Sequence, residues 1–149
     1  HRCHVENVLI DLEDCSGKYP KSRGLFCDKT NRVILCSNKM TNVQTFNNVL
    51  THELIHYFDR CFFKFRNDDL SHVVCTELRA YSLVNCVNVA DPIKRRKCIE
   101  NGVMRSSRYF VKRMGEQAVR DQMADLYNTC VTGEVTNDQA NPHPFLVDE

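Results

Sequence analysis

The sequence predicts an α+β fold that is mainly helical, with a small β-sheet and several disulfides. Three observations support this: long segments with apolar residues at helical spacing, one short run of branched aliphatic residues, and nine cysteines among 149 residues. The cysteines are widely spaced and form no Cys-x-x-Cys pair, which favours long-range disulfides in an oxidising compartment over a zinc ribbon or redox motif. Because nine is odd, at least one thiol has no partner within the chain.

Each element follows from a local pattern. Arg32–Cys36 (RVILC) is predicted as a strand, since its branched aliphatic residues are bounded by turn-forming residues. Helices are predicted where apolar side chains recur every three or four positions: about 45–60, about 69–85, from Asp91-Pro92 onward, and around 118–127. Gly115 interrupts the pattern before the last helix.

Length and composition predict one domain over residues 1–132 and an extended, polar C-terminal tail over 133–149. The 20 Lys and Arg residues nearly balance the 19 Asp and Glu residues, which argues against nucleic-acid binding. The basic run 94–97 lies in a helical pattern, where a solvated helix face is favoured over a phosphate or lipid patch. No segment approaches the roughly 20 apolar residues that span a bilayer.

The motif with the clearest chemistry is His52-Glu53-Leu54-Ile55-His56, an H-E-x-x-H sequence inside the first strong helix. Helical i, i+4 spacing places the two imidazoles on one face about 6 Å apart, which suits two ligands of a single Zn²⁺. Both histidines lie away from the centre of the apolar stripe, so we expect them to line a cleft. Glu53 is expected to act as the catalytic base toward a zinc-bound water.

A catalytic zinc needs a third protein ligand and an open fourth position. The downstream candidates are Asp59, His72 and Glu77. A single helix is poorly shaped to supply three tetrahedral ligands, so Asp59 is expected to orient a histidine N–H. Glu77 falls at the centre of the apolar stripe of the second helix and His72 on the opposite face; a buried carboxylate needs a partner. Glu77 is therefore favoured, with His72 as ligand, or Glu77 paired with an arginine, as alternatives.

A glutamate 21 residues after His56 is how glutamate-type zincins are built, so the predicted fold class is a zincin-like metalloprotease domain. Strand 32–36 precedes the motif helix, and its edge is a candidate for pairing with an extended substrate, although a purely structural role is equally consistent. A donor to the developing oxyanion is also required. Its candidates, among which the sequence does not choose, are Tyr57, Arg79, Tyr127 and His143.

A wider set of residues carries a family resemblance: HELIH at 52–56, then Asp59, Cys61, His72, CTELRA at 75–80, and Cys86. This set resembles the mitochondrial metalloprotease family of the intermembrane space. That family is associated with maturation of an ATP synthase subunit precursor and with assembly of the membrane sector. The resemblance runs from about Cys3 to Cys130. It implies cysteines oxidised on import and metal-site roles for His52, Glu53 and His56, with Glu77 at the family's acidic position.

The expected function is a zinc-dependent endopeptidase of the mitochondrial intermembrane space, peripheral to the inner membrane, acting on an inner-membrane precursor protein. The expected partners are a protein or peptide substrate and subunits of a respiratory-chain or ATP synthase complex, but no nucleic acid. The alternative is a non-proteolytic assembly factor or accessory structural subunit that keeps the metalloprotease fold. A metal-free, cysteine-rich secreted binding module is a third hypothesis, which leaves the histidine pair and Glu77 unexplained.

Overall fold

The computed structural model describes residues 8–63 and 65–132. These residues form three strands and five α-helices: β1 (Leu9–Glu13), β2 (Gly24–Cys27), β3 (Arg32–Cys36), α1 (Val43–Phe62), α2 (Leu70–Ala80), α3 (Pro92–Ser106), α4 (Arg108–Met114) and α5 (Glu116–Thr132). The predicted mainly helical α+β fold with a small sheet is confirmed. The predicted tail over 133–149 lies outside the described residues, so the domain boundary at 132 stays a prediction. No described helix combines the length and apolarity needed to cross a bilayer.

The chain divides into two compact units, one up to Phe62 and one from Phe63 onward. The first contains the sheet, whose strand order is β1-β3-β2. β3 pairs in parallel with β1, aligning Val33 with Ile10, and antiparallel with β2, aligning Ile34 with Leu25. Because both edges of β3 are occupied, the hypothesis that this strand pairs with substrate is wrong, and its role is structural.

Of the three described strands, β3 was predicted from the sequence and β1 and β2 were not, and burial explains the difference. Val33 through Cys36 are all buried, so β3 reads as a continuous apolar run. The residues of β1 and β2 are exposed or half-buried, which leaves no strong pattern. The sheet contacts α1 through β2 and β3. At β2, the Phe26 and Tyr57 rings meet edge to face at 5.5 Å. This contact brings β2 against the motif helix.

In the second unit, local capping sets the starts of α2 and α3 as predicted. The Asp69 carboxylate accepts from the Ser71 backbone N–H at 2.9 Å, and Asp91 accepts from Lys94 N–H at 2.8 Å, with Pro92 as first residue of α3. Side-chain oxygens at the N-cap satisfy backbone donors that the helix leaves open. α2 runs directly into a π-helical turn, Tyr81–Asn85, within the helix predicted over 69–85.

The C-terminal helices differ from the prediction in one respect: the helix from Pro92 ends at Ser106, and α4 begins after a break at the buried Ser107. Gly115 ends α4 with φ +91°, a left-handed conformation that favours glycine. The core of this unit consists of buried side chains from α2 to α5, among them Val74, Leu78, Ile99, Val103, Phe110, Val119, Met123 and Leu126.

The predicted disulfides are present. Three join cysteines that are both described, namely Cys15–Cys36, Cys75–Cys130 and Cys86–Cys98. Among the described cysteines Cys27 is free, in accord with the odd count. A hydrogen bond from the Thr30 side chain is the main cause that lowers the pKa of the Cys27 thiol, because it stabilises the thiolate.

Candidate metal centre

His52 and His56 lie one turn apart on α1, as their spacing requires. Their ring centroids are 4.7 Å apart and the rings stand at 82° to each other. Both side chains are buried, each 8% exposed. Two imidazoles held edge to face by one helix present their nitrogens in directions that can converge on a single ion.

The burial of α1 differs from the expectation drawn from the helical wheel. The buried residues of the helix are His52, Glu53, His56, Tyr57 and Asp59, and four of these five are polar or charged. The apolar positions predicted to form its core stripe, such as Val49, Leu50 and Leu54, are only half-buried. The motif therefore occupies the most buried side of the helix.

Glu53 is 7% exposed and lies beside the β2 backbone. A Cβ built on Gly24 would approach Glu53 Cγ to 3.2 Å and Oε1 to 3.3 Å, and Val49 Cγ1 to 2.6 Å. Only a residue without a side chain allows the strand to pass so close to the catalytic candidate. Gly24 was not predicted from the sequence; its signal is a glycine within a strand, which often marks close approach of another group to the backbone.

Glu77 of α2 completes a group that can hold a metal ion. One ligand atom from each of His52, His56 and Glu77 lies within 4.8 Å of the other two. The histidines are buried and Glu77 is half-buried, less buried than its place in the apolar stripe predicts. Among the described residues, these are the three His, Cys, Asp or Glu side chains whose ligand atoms lie within 4.8 Å of one another.

His72, the alternative ligand, has other contacts. Its Nδ1 accepts a hydrogen bond from the Arg66 backbone N–H at 2.9 Å, and its ring lies 5.7 Å from that of Phe65. These contacts anchor the segment that leads into α2. His72 does not belong to the group of three ligand candidates.

The donor set fits a zinc ion. Ligands bound at about 2.1 Å with tetrahedral angles lie about 3.4 Å apart, so the separations in the group require only small side-chain rotations. Two imidazoles and one carboxylate are ligands that zinc accepts readily, and three protein ligands leave one coordination position open, as in catalytic sites. Structural zinc sites, by contrast, use four protein ligands.

Asp59 and the candidate oxyanion donors lie in different surroundings. Asp59 is fully buried, one turn after His56 on the same helix. Tyr57 is buried against Phe26, whereas the Tyr127 ring lies under the Arg96 guanidinium at 4.3 Å. Arg79 is half-buried near the end of α2. His143 lies outside the described residues, and the structure selects no oxyanion donor from these four.

In metallopeptidases of the H-E-x-x-H type, the two histidines of one helix bind the metal, and the glutamate of the motif acts as the general base. The chain belongs to the Peptidase M76 family, whose model matches residues 1–134. The family resemblance found in the sequence is thereby confirmed.

Individual relatives carry more specific names. The chain is similar to the mitochondrial inner membrane protease ATP23 homolog of Xenopus laevis, 28% identical over 133 residues that cover 81% of this chain and 54% of the relative. The Homo sapiens homolog is 37% identical over 89 residues, 58% of this chain and 34% of the relative. The Danio rerio homolog is 27% identical over 136 residues, which cover 81% of this chain and 50% of the relative. The chain thus spans at most about half the length of these relatives, and no solved structure matches it.

Proposed function

We propose that this chain is a zinc-dependent endopeptidase domain that acts on an inner-membrane precursor protein in the mitochondrial intermembrane space. The observation that carries the proposal is the convergence of His52, His56 and Glu77 ligand atoms within 4.8 Å. Membership of a peptidase family supports the reaction class. The names of the relatives support a protein substrate and the inner-membrane location.

In this proposal His52 and His56 hold the ion through their imidazole nitrogens, and Glu77 holds it through a carboxylate oxygen. Bound Zn²⁺ would polarise the scissile carbonyl and make a water molecule more acidic. Asp59 is assigned to hydrogen-bond a ligand histidine and fix its ring orientation, since it is buried one helical turn from His56.

Glu53 is proposed as the general base. Its carboxylate accepts a proton from the attacking water and then donates it to the amine that leaves, as one group commonly does in both half-reactions. Its burial at 7% exposure and its neighbour Gly24 hold the carboxylate in a restricted space. Restricting the carboxylate favours the reaction, because general base catalysis depends on the correct position of the proton acceptor.

The oxidised cysteines are consistent with the proposed compartment. Disulfides persist in oxidising environments and are rare where thiols are kept reduced. The described residues contain three, two of them in the unit from Phe63 onward. Together with the names of the relatives, they favour the intermembrane space over the matrix.

Metal content of purified variants tests the ligand assignment. We expect about one zinc per wild-type chain and its loss in His52→Ala, His56→Ala and Glu77→Gln. The matched control is His72→Ala, which removes an imidazole from α2 outside the group and should keep the metal. If Glu77→Gln keeps zinc and His72→Ala loses it, His72 and not Glu77 is the third ligand.

Cleavage of an unfolded protein substrate tests the reaction. Glu53→Gln should keep zinc and fold but lower the rate by about 10² to 10⁴, the usual contribution of a general base. Glu100→Gln, which removes a carboxylate from α3, is the control and should cleave normally. Zinc at one per chain with equal cleavage by wild type and Glu53→Gln would instead support the non-proteolytic assembly factor or accessory subunit.

A further inference from the structure

An open cavity of about 350 Å³ lies in the unit from Phe63 onward, lined by the end of α3, by α4 and by the start of α5. Its lining contains none of the proposed metal ligands and not Glu53. The proposed peptidase reaction gives these lining residues no role. The cavity therefore needs its own physical account.

The rim of the cavity is strongly cationic. Arg105, Arg108 and Lys112 line it and are exposed. Arg108 and Lys112 are four residues apart on α4, a spacing that places both on one face. Arg105 contacts the hydroxyl of Tyr81, a neutral group. In the part of the chain that the structure describes, none of these three cations forms an ion pair.

One carboxylate lines the cavity, and it is already engaged. Glu116 Oε1 accepts hydrogen bonds from Arg120 Nη2 at 2.7 Å and from Nε at 2.9 Å. Among the described residues, this pair leaves Arg105, Arg108 and Lys112 without a carboxylate partner. A cluster of positive charges strengthens the binding of an anion and attracts it from solution.

The base of the cavity is apolar. Met104 and Val111 line it and are half-buried. A small inorganic anion would satisfy the rim and leave this base uncovered. An acidic peptide would bring backbone N–H and C=O groups onto apolar atoms that cannot hydrogen-bond them, at a cost in free energy. The ligand that fits both parts is an anion attached to a hydrocarbon chain.

We propose that this cavity binds an anionic phospholipid of a membrane surface, with the phosphodiester between Arg105, Arg108 and Lys112 and the start of an acyl chain over Met104 and Val111. The choice of a membrane-borne anion rests on the proposed inner-membrane function. α4 also exposes Tyr109 (62%) and Met114 (52%). Tyrosine is common at the level of lipid head groups, because its ring is apolar and its hydroxyl is polar.

The basic run 94–97 provides a matched control on the neighbouring helix. Its Arg96 is paired with Glu100 at 2.8 Å and stacked on Tyr127, so part of its charge is used within the protein. Lys94 and Lys97 are exposed and lie outside the cavity. Reversing these two charges changes the net charge by the same amount as reversing two charges of the cavity rim.

Flotation with vesicles tests the proposal without any cleavage step, so its failure would leave the proposed peptidase function untouched. Wild type should bind vesicles of equal parts phosphatidylcholine and phosphatidylglycerol, but not phosphatidylcholine alone. Arg108→Glu/Lys112→Glu should lower the partition coefficient at least about 25-fold, since one basic residue near an anionic surface contributes roughly fivefold. Lys94→Glu/Lys97→Glu should lower it much less.

Three results would overturn the proposal. Equal losses in the two double variants would mean that net charge alone attracts the protein. Release from the vesicles by glycerol phosphate at matched phosphate concentration would mean that the rim binds a free phosphate ester without a chain. Release by poly-glutamate, at a concentration where inorganic phosphate has no effect, would identify an acidic peptide as the ligand.

Discussion

Glu53 is confined by its own helix and by the backbone of a neighbouring strand. The distance from a Cβ on Gly24 to Val49 Cγ1 would be 2.6 Å, shorter than van der Waals contact permits. Val49 is β-branched, so its χ1 angle has little freedom within a helix. The absence of a side chain at Gly24 therefore decides how near β2 lies to the carboxylate.

Gly24→Ala is expected to displace Glu53 or β2 and to reduce cleavage by about tenfold to a hundredfold, because small displacements of a catalytic group are costly. Zinc content should be unchanged, since the three atoms nearest a Cβ on Gly24 belong to Val49 and Glu53 and not to His52 or His56. Cleavage rate and metal content of the same preparation measure the two effects. Gly17→Ala is the control, because a Cβ there meets no atom within 4 Å.

A rescue variant separates this steric effect from general damage. Gly24→Ala/Val49→Ala removes the nearest of the atoms that the new Cβ would meet, so part of the lost activity should return. If Gly24→Ala cleaves as well as Gly17→Ala, Gly24 has no part in placing Glu53.

At the scale of elements, α3 lies closely against the π-helical turn that follows α2. A Cβ on Gly102 would lie 2.4 Å from Tyr81 Cδ1 and Cε1 and 2.7 Å from its Cγ. The Tyr81 ring is itself half-buried, and its hydroxyl meets Ser106 Oγ at 3.0 Å. Burial is the main cause that raises the pKa of Tyr81, so the ring stays neutral at physiological pH.

Gly102→Ala is expected to destabilise the fold by about 1–2 kcal/mol, measured by urea denaturation. Overpacking costs about 1–3 kcal/mol, whereas alanine gains up to about 1 kcal/mol over glycine in a helix interior. The steric term is larger here because the close atoms include Tyr81 Cγ, the ring atom nearest the backbone. Gly102→Ala/Tyr81→Leu should recover part of the loss. A Gly102→Ala protein as stable as wild type would contradict this packing.

At the scale of the whole molecule, the long disulfide loops limit the freedom of the unfolded chain. Cys75 on α2 and Cys130 on α5 close a loop of 55 residues and are both buried. A crosslink stabilises the folded state mainly by lowering the entropy of the unfolded state, more so for longer loops. This bridge also joins two helices of the main core.

Cys75→Ala/Cys130→Ala is expected to lower the free energy of unfolding by about 4 kcal/mol, the loop-entropy value for a closure of this length. Chemical denaturation in the absence of reductant measures it. Cys27→Ala is the matched control, since Cys27 is free and half-buried, and should change stability little. Equal losses in the two variants would show that the bridge contributes no crosslink stabilisation.

The sequence by itself determined the local features of this protein. Spacing alone placed His52 and His56 on one face of a helix. The capping residues Asp69 and Asp91 and the break at Gly115 were also predictable, because the groups involved are a few residues apart. Strand β3 was recognisable because four of its five residues are buried and apolar.

Only the tertiary structure decided which distant groups meet. The nearness of Glu77 ligand atoms to the histidines, the passage of β2 beside Glu53 and the pairing of Cys75 with Cys130 all join residues more than 20 positions apart. Local periodicity singled out Glu77 as a carboxylate that needs a partner, but it could not identify that partner, because it reports which side of an element is apolar and not what covers it. For the same reason the polar motif side of α1 proved to be the buried one.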